Sequence, residues 1–454
     1  MKVTRRDFLK GAAATAAAFG VPTIVPATVF GAKAPSNRLL IGQIGCGRIA
    51  RDHDLPETMA DERALVVALC DVDSKRLREG KTFVEEWYAK ENRPIPPIKL
   101  YGNYRDLLAD PQIDAVVIST PDHWHAQPAI EAALAGKDIY LQKPSALTVR
   151  ESRQLSDVIH RTGRVFQMGS QQRSMPQFRI ACELVRNGRV GNLKRIVIGL
   201  PVDPSGEEEP EMPIPPNLNY EMWLGSTPYV YYTEKRVHPQ NDYSRPGWLR
   251  CEQFGAGMIT GWGSHHLDIA NWAMGAEYTN FVEVEAEAQF PTKGLWDVHG
   301  PFTVHAKFAD GVEMIVSDSF PNGVRFEGDE GWIFVTRGNY AVTASDPVSK
   351  KNSEALSASD PKLLSPLPKD AVRLHVSNQH HIDWINAVFT RTQPVAPVEP
   401  AHRACTNCLL SHIAMKLKRK LYWDPKKERF INDDQANAML ERPQRWPYGT
   451  NYVL

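Results

Sequence analysis

Cysteine is scarce, six in 454 residues, too few for a fold built on disulfides. Net charge is absent as well, with 53 Lys and Arg against 53 Asp and Glu. That balance excludes a generally basic nucleic-acid binder and a generally acidic, solvating chain. Hydrophobic residues make up 42% and charged residues 23%, ordinary globular shares that fit neither bulk disorder nor a polytopic membrane protein. There is no internal repeat and no low-complexity tract beyond the N-terminal segment. Metal signatures are thin: His265, His266 and Asp268 crowd too closely to converge from one helix, and Cys405 and Cys408 form a C-x-x-C without a second pair. No metal is expected, and His380-His381-Ile382-Asp383 reads as ordinary helix surface and core. At roughly 100–200 residues per domain, the length predicts two or three domains, each able to bury a core.

What is present begins with an address. Arg5 and Arg6, followed by Phe8, Leu9 and Lys10, resemble the twin-arginine export signal, and 22 uncharged residues run from Gly11 to Ala32. That stretch is only mildly apolar, and Pro22 and Pro26 would break a spanning helix. Residues 1–34 are therefore expected to be a signal peptide, with small residues near Ala32–Ala34 for cleavage; the alternative is an uncleaved single anchor. The resemblance implies the twin-arginine translocase as a partner during export, a periplasmic destination, and passage of a chain already folded, often with cofactor inside. No stable membrane association is expected after cleavage.

From Asn37 the pattern becomes strand–helix–strand. Short apolar runs at 39–44, 64–69, 115–119, 138–141 and 164–168 alternate with helical stretches, which argues a parallel, doubly wound sheet over residues 36–170. After about Ser170 the grammar changes. A helix is expected over 178–187, then a Pro/Glu-rich stretch at 201–216 and an aromatic-rich one at 220–248. Alternating runs at 282–290, 302–308, 312–318 and 332–336 predict a mainly antiparallel sheet with one covered face. Residues 345–368 read as a surface loop, and helical periodicity returns at 379–389 and 401–421. Residues 171–454 are thus expected to form an α/β domain with a large open sheet.

The first chemical motif is Gly45-Cys46-Gly47-Arg48-Ile49-Ala50, a G-x-G-x-x-A directly after the first strand, with Asp71 placed 21 residues beyond Ala50 at the end of the second. Gly45 permits the tight turn, Gly47 lets backbone N–H groups approach a pyrophosphate, and Ala50 allows close helix–strand packing. The helix opening at Arg48 and Ile49 offers unpaired N–H groups and a positive dipole end. Asp71 suits the ribose hydroxyls and repels a 2′-phosphate, so NAD(H) is favoured over NADP(H), with Lys75 and Arg76 nearby as the opposing signal.

Thr120-Pro121-Asp122-His123-Trp124-His125 follows the third strand, and Gln142-Lys143-Pro144-Ser145 follows the fourth. With the fingerprint, these motifs resemble the glucose–fructose oxidoreductase / inositol dehydrogenase (Gfo/Idh/MocA) family over most of the chain beyond the signal. The resemblance implies a Rossmann domain followed by an α/β domain used for substrate binding and for assembly as a homodimer or homotetramer. It implies that Thr120, Pro121, Trp124, His125 and Gln142 line the cofactor and that Lys143 reaches both nicotinamide and substrate. Residues 257–268 resemble the family's D-x-x-x-H-x-x-D segment, which makes His265 the catalytic acid/base and Asp268 a nearby support; His266 is an equal candidate for the working imidazole. Two departures stand out. Gln142 replaces a usual Glu, removing a carboxylate that would hold Lys143 charged, and Gly261 replaces the first Asp.

Substrate contacts are expected from the aromatic-rich stretch, where Trp223 and Trp248 could stack on sugar C–H faces beside Arg245, and from Arg173 at the domain junction. The reaction expected from the resemblance is hydride transfer at a sugar, polyol or glycoside hydroxyl with tightly held NAD. Redox-neutral NAD-dependent glycoside hydrolysis or lysis is the alternative, and a non-catalytic, cofactor-bound sugar-binding protein the third. Lys2, Arg5, Arg6, Lys10 and Lys33 against Asp7 give the first 34 residues +4, which leaves −4 on the rest of a neutral chain. A mildly acidic body fits an uncharged carbohydrate partner and no nucleic acid.

Overall fold

The computed structural model describes residues 38–338 and 354–454. The expected signal at 1–34 and the first part of the loop expected at 345–368 lie outside these residues. Six strands, β1 (Leu39–Ile44), β2 (Ala64–Cys70), β3 (Lys99–Tyr101), β4 (Ala115–Ile118), β5 (Asp138–Leu141) and β6 (Phe166–Met168), pair in the order β3-β2-β1-β4-β5-β6. Every pairing is parallel. β4 and β5 are buried along their whole length, as strands covered by helices on both faces must be. The strand order reverses between β1 and β4, which opens a crevice beyond their carboxyl ends. β3 escapes the sequence pattern because Lys99 and Leu100 are exposed at the sheet edge and no apolar run announces it.

Nine further strands form the second sheet: β7 (Leu193–Gly199), β8 (Glu283–Ala288), β9 (Phe302–Lys307), β10 (Glu313–Ser317), β11 (Gly323–Gly328), β12 (Gly331–Val335), β13 (Leu356–Ala358), β14 (Leu421–Asp424) and β15 (Arg429–Phe430). Their order is β13-β12-β11-β7-β10-β9-β8-β14-β15. All neighbours are antiparallel except the central pair β7 and β10, so the sheet is mixed. β13 and a short turn at Pro361–Leu364 occupy part of the stretch expected to be loop. Alternation is clear on β8, where Val284, Ala286 and Ala288 point inward and Glu283, Glu285 and Glu287 outward. The inner face packs under the helices Pro176–Arg186, Gly263–Met274 and Val398–Leu417 in one core.

Later parts of the chain return to the first sheet. Trp384, Ile385 and Val388 of the His380–Thr390 helix pack on Leu39, Ile41, Val117 and Tyr140. The turn after β6 carries Arg173, which is fully buried. Its Nε and Nη2 donate to the two carboxylate oxygens of Asp268 at 2.7 Å each, and its Nη1 donates to Glu277 at 2.9 Å and to the Val395 carbonyl at 3.1 Å. Arg186 closes on the other oxygen of Glu277 at 2.8 Å. One guanidinium therefore ties three separate segments, and removing it leaves a buried carboxylate uncompensated. Arg173→Leu is expected to lower unfolding free energy by about 3–5 kcal/mol. The double change Arg173→Leu with Asp268→Leu should cost less than the sum of the two singles in urea titrations; strict additivity would show that the pair does not couple.

Candidate functional site

The crevice is shaped first by glycine. Gly45 has φ 89°, and a Cβ there would sit 2.7 Å from the Ser119 carbonyl oxygen, so no other residue fits. A Cβ on Gly47 would meet nothing within 4 Å: the backbone at Gly47 faces open space in the cleft, as close approach of a phosphate requires. Arg48 and Ile49 open the helix, and Ala50 is fully buried against β2 residues. That helix continues through a π-helical segment, Ala50–Asp54. Asp71 accepts from the Cys46 N–H at 2.7 Å and the Asp73 N–H at 2.8 Å, which fixes its carboxylate at the mouth of the cleft. The cleft, about 190 Å³, is lined by Gly45, Gly47, Arg48, Ile49, Asp71, Thr120, Pro121, Trp124 and His125. The ring nitrogens of His125 lie 2.5 Å from the Pro144 carbonyl and 2.9 Å from that of Thr120, bracing the motif.

A segment from the second half, 236–248, closes the outer wall of this cleft. His238 Nε2 meets Asp73 at 2.9 Å, and the Tyr243 hydroxyl donates to Glu79 at 2.7 Å. Lys75 donates to the Gln240 carbonyl and Arg76 to those of Pro239 and Asp242. The Arg76 guanidinium also stacks 3.8 Å from the Tyr243 ring, with Arg51 4.4 Å from it. The two cations that weighed toward NADP(H) in the sequence thus hold this strap. Trp248 and Trp223, expected beside a sugar, line this cleft as well. Trp223 packs against Tyr220 and Phe254, and its carbonyl accepts from Trp124 Nε1 at 3.0 Å.

A wider cavity of about 490 Å³ adjoins the cleft, and Arg48, Ile49, Gln142, Lys143 and Leu249 border both, while Arg245 lines the wider one. Lys143 is half-buried, and its Nζ donates to the Gly261 carbonyl at 2.9 Å. The residue standing where the family has Asp thus serves Lys143 through its backbone. His265 enters the wider cavity from the start of the Gly263–Met274 helix. Burial, and then the positive charges of Arg337 and Lys143, push its imidazole well below the ordinary value, so it is neutral at pH 7. No described residue hydrogen-bonds its Nδ1. The neighbouring imidazole does something else: His266 Nε2 meets Asn322 at 2.6 Å, its Nδ1 meets the Gln172 amide at 3.2 Å, and burial pushes it down to about 3. His266 lines neither cavity, and neither do Arg173 and Asp268, which are spent on each other in the core.

The structure adds residues that sequence reasoning passed over. Gln142 Nε2 donates to Asp54 at 2.7 Å, Ser119 donates to the other Asp54 oxygen at 2.5 Å, and His381 Nε2 lies 3.1 Å from Asp54. His381 Nδ1 meets Glu57 at 2.8 Å, and Tyr140 stacks on the imidazole at 4.1 Å. His381 is therefore part of the cavity wall and not the ordinary helix residue expected. Burial alone would push it down, but the hydrogen bonds to Asp54 and Glu57 carry it up to about 9. The carboxylate that Gln142 lacks is supplied one layer behind it by Asp54. Asp122, on the cleft side, is raised to about 7 by burial, against the pull of Lys143 and Arg245. Asp122 lies inside the Thr120–His125 motif, which could have flagged it; Asp54, Glu57 and His381 carried no local signal. Elsewhere, Glu399, His402 and Glu428 lie within 4.8 Å of one another, but Arg153 and Arg403 already neutralise both carboxylates at 2.6–3.2 Å.

Because the folded pKa of His381 exceeds the unfolded one, its stabilisation is complete below about pH 6.5 and is lost as pH rises through about 9. His381→Leu is expected to lose about 3 kcal/mol at the acid end of that window. In urea titrations across it, the gap between wild type and variant should close as pH rises; a constant gap would remove the imidazolium from the account.

Comparison with known proteins agrees with this geometry. The Gfo/Idh/MocA description "Oxidoreductase family, NAD-binding Rossmann fold" matches residues 39–170, its C-terminal alpha/beta domain matches 204–450, and the twin-arginine translocation pathway signal sequence matches 2–22. An uncharacterized oxidoreductase of Rhizobium meliloti is 36% identical over 155 residues, 34% of this chain and 43% of that one. A glycosyl hydrolase family 109 protein of Shewanella is 31% identical over 208 residues, 42% of this chain and 44% of its own. The chain thus spans less than half the length of these two relatives. The aldose-aldose oxidoreductase of Caulobacter crescentus, solved with glycerol, superposes with a TM-score of 0.57 at 18% identity, covering 85% of this chain and 99% of that one. Among the described residues no helix is long and apolar enough to cross a membrane.

Proposed function

The chain belongs to the Gfo/Idh/MocA oxidoreductases and carries a twin-arginine signal for export to the periplasm, and from that premise we propose that it is an NAD-dependent dehydrogenase of a sugar, polyol or glycoside hydroxyl that keeps its nucleotide bound. One observation carries the reading: the dinucleotide cleft and the wider cavity meet at Lys143, and the neutral imidazole of His265 lines the wider cavity with it. The fit to NAD rests on the open space at Gly47, the anchored carboxylate of Asp71 and the strap that engages Lys75 and Arg76. When bound there, the nicotinamide supplies the hydride acceptor.

The protein's own part is proton handling and orientation. A hydroxyl that loses hydride from its carbon must also lose its proton, and a neutral imidazole can take it. The Lys143 ammonium, steered by the Gly261 carbonyl, holds the substrate oxygen as negative charge develops on it. Gln142, braced by Asp54, forms the floor between the two cavities. Retention of the nucleotide is supported by the 236–248 strap: at least five polar contacts and two cation–ring contacts would have to open for it to leave. A retained cofactor must be reset in place, by reduction of a second carbonyl compound or by an external acceptor.

A second reading, redox-neutral cleavage of a glycoside in which hydride is returned to the substrate, is supported by the likeness to the family 109 glycosyl hydrolases. Assembly as a homodimer or homotetramer belongs to the same proposal; a hollow on the outer face of the second sheet, lined by Val197, Phe320, Trp332 and Phe334, supports it.

Mass spectrometry of molecules released from the purified protein should find NAD; protein that holds none and takes up none when supplied would end the proposal. Sugars that yield a ketone with reduced nicotinamide support the dehydrogenase, and glycosides that release sugar without net reduction support the second reading. Lys143→Met should lower kcat by about 100-fold or more with nucleotide still bound. Tyr243→Ala should lose its nucleotide on gel filtration, whereas retention equal to wild type would take that role from the strap.

A further inference from the structure

The wider cavity is strongly cationic. Arg48, Lys143, Arg245 and Arg337 all line it, while among the described residues Glu57 is the one carboxylate in its wall. Glu57 is already engaged by His381 at 2.8 Å and His53 at 3.3 Å. The cations that border the narrow cleft are Arg48, Arg76 and Lys143, and Arg245, in the wide cavity, is met by Asp203 at 3.3 Å. Arg337 lines the wide cavity and not the cleft.

Arg337 is built in with care. It follows β12, and its guanidinium lies 4.7 Å from the Trp262 ring centre. With the Gln172 amide oriented to donate to the His265 carbonyl at 3.3 Å and to His266 Nδ1 at 3.2 Å, the amide oxygen accepts from Arg337 Nε at 3.2 Å. Stacking on one face and an acceptor at Nε fix the plane of the fork and direct it, beside His265, into the cavity. After burial, the Arg337 charge is the largest influence depressing His265, so the two groups share one field. Gln171, Asn378 and Gln379, on the same wall, supply amides for hydroxyl groups.

We propose that the substrate is an anionic sugar or polyol, one whose carboxylate or other oxyanion is bound by Arg337 while the hydroxyl to be oxidised sits at Lys143 and His265. The inference rests on the dehydrogenase reading only for the second half of that sentence, and it replaces the uncharged partner that overall composition suggested. A guanidinium fork matches a planar oxyanion with two parallel N–H···O bonds, and Arg337 brings that fork to the cavity wall beside His265. A bound anion would also offset the positive field at His265 and make its imidazole a better proton acceptor, which couples recognition to chemistry.

The test uses the full-length exported protein with its bound nucleotide and matched pairs: D-glucuronate with D-glucose, D-galacturonate with D-galactose, and D-gluconate with D-sorbitol. Both the second-order rate constant for reduction of the bound nucleotide, from nicotinamide absorbance in a single turnover, and Kd, from calorimetry, are measured for each. In at least one pair the acid is expected to be favoured roughly ten- to a hundredfold, the ratio falling toward one in Arg337→Gln and being partly kept in Arg337→Lys. A stronger response to D-glucose phosphate than to D-glucuronate would make the oxyanion a phosphoryl group and not a carboxylate. Acids that bind with this preference but are not oxidised would support the anion site and count against the dehydrogenase reading. Neutral sugars oxidised in preference to every acid would leave that reading standing and overturn this one. No acid bound more tightly than its neutral partner, or a preference unchanged in Arg337→Gln, would overturn it equally.

Discussion

The carboxylate of Asp54 is the constraint on which the site depends. It sits on a π-helical segment, where one extra residue per turn has displaced it from regular α-helical register. It is fully buried and collects the end of β4 through Ser119, the end of β5 through Gln142 and the His380–Thr390 helix through His381. A buried carboxylate without partners is costly, so these contacts are obligatory and not incidental. Once they are made, Lys143 is presented from the residue after Gln142, and both cavities acquire a common wall. The two departures from the family pattern then read together: Gln142 donates where a Glu would repel Asp54, and Gly261 lends a carbonyl where a side chain is missing.

The fold was largely legible in the sequence, because parallel strands buried on both faces are continuous apolar runs and the glycine fingerprint is local. β1 and β5 have the bounds that the pattern predicts. β3 was not legible because an edge strand need not be apolar, nor was the central placement of β7, because no local property marks its parallel partner β10. The candidate site was legible where motif and geometry coincide, at Gly45, Gly47, Asp71, Lys143 and His265. It was not legible where the partner is far away in the chain. Asp54 and His381 are separated by 327 residues, and Arg173 and Asp268 by 95. Local pattern shows a charged residue at each of these positions but not whether it faces a ligand or a counter-ion.

Charge illustrates the same point at another scale. Overall composition describes a mildly acidic body, while the cavity wall is cationic. The two are compatible because a pocket's potential is set by the few groups lining it, in low dielectric, and not by the exposed carboxylates that determine net charge. Outward-facing glutamates on β8 therefore say nothing about what the interior binds.

The return of the His380–Thr390 helix to the first sheet fixes when that sheet can be complete. Leu39, Ile41, Val117 and Tyr140 belong to strands made early, yet Trp384, Ile385 and Val388, which cover them, come more than two hundred residues later. β7 likewise must wait for β10, since a parallel partner cannot be reached by a tight turn. Contacts of such long sequence separation slow folding and leave apolar faces open in the interim. The chain therefore commits to its native form only after residues 380–390 have been made, and Asp54 gains His381 in the same step. For a protein addressed to a translocase associated with folded cargo, this makes late closure a checkpoint: a chain that stops short of residue 390 exposes an apolar sheet face and lacks the wall of its own site.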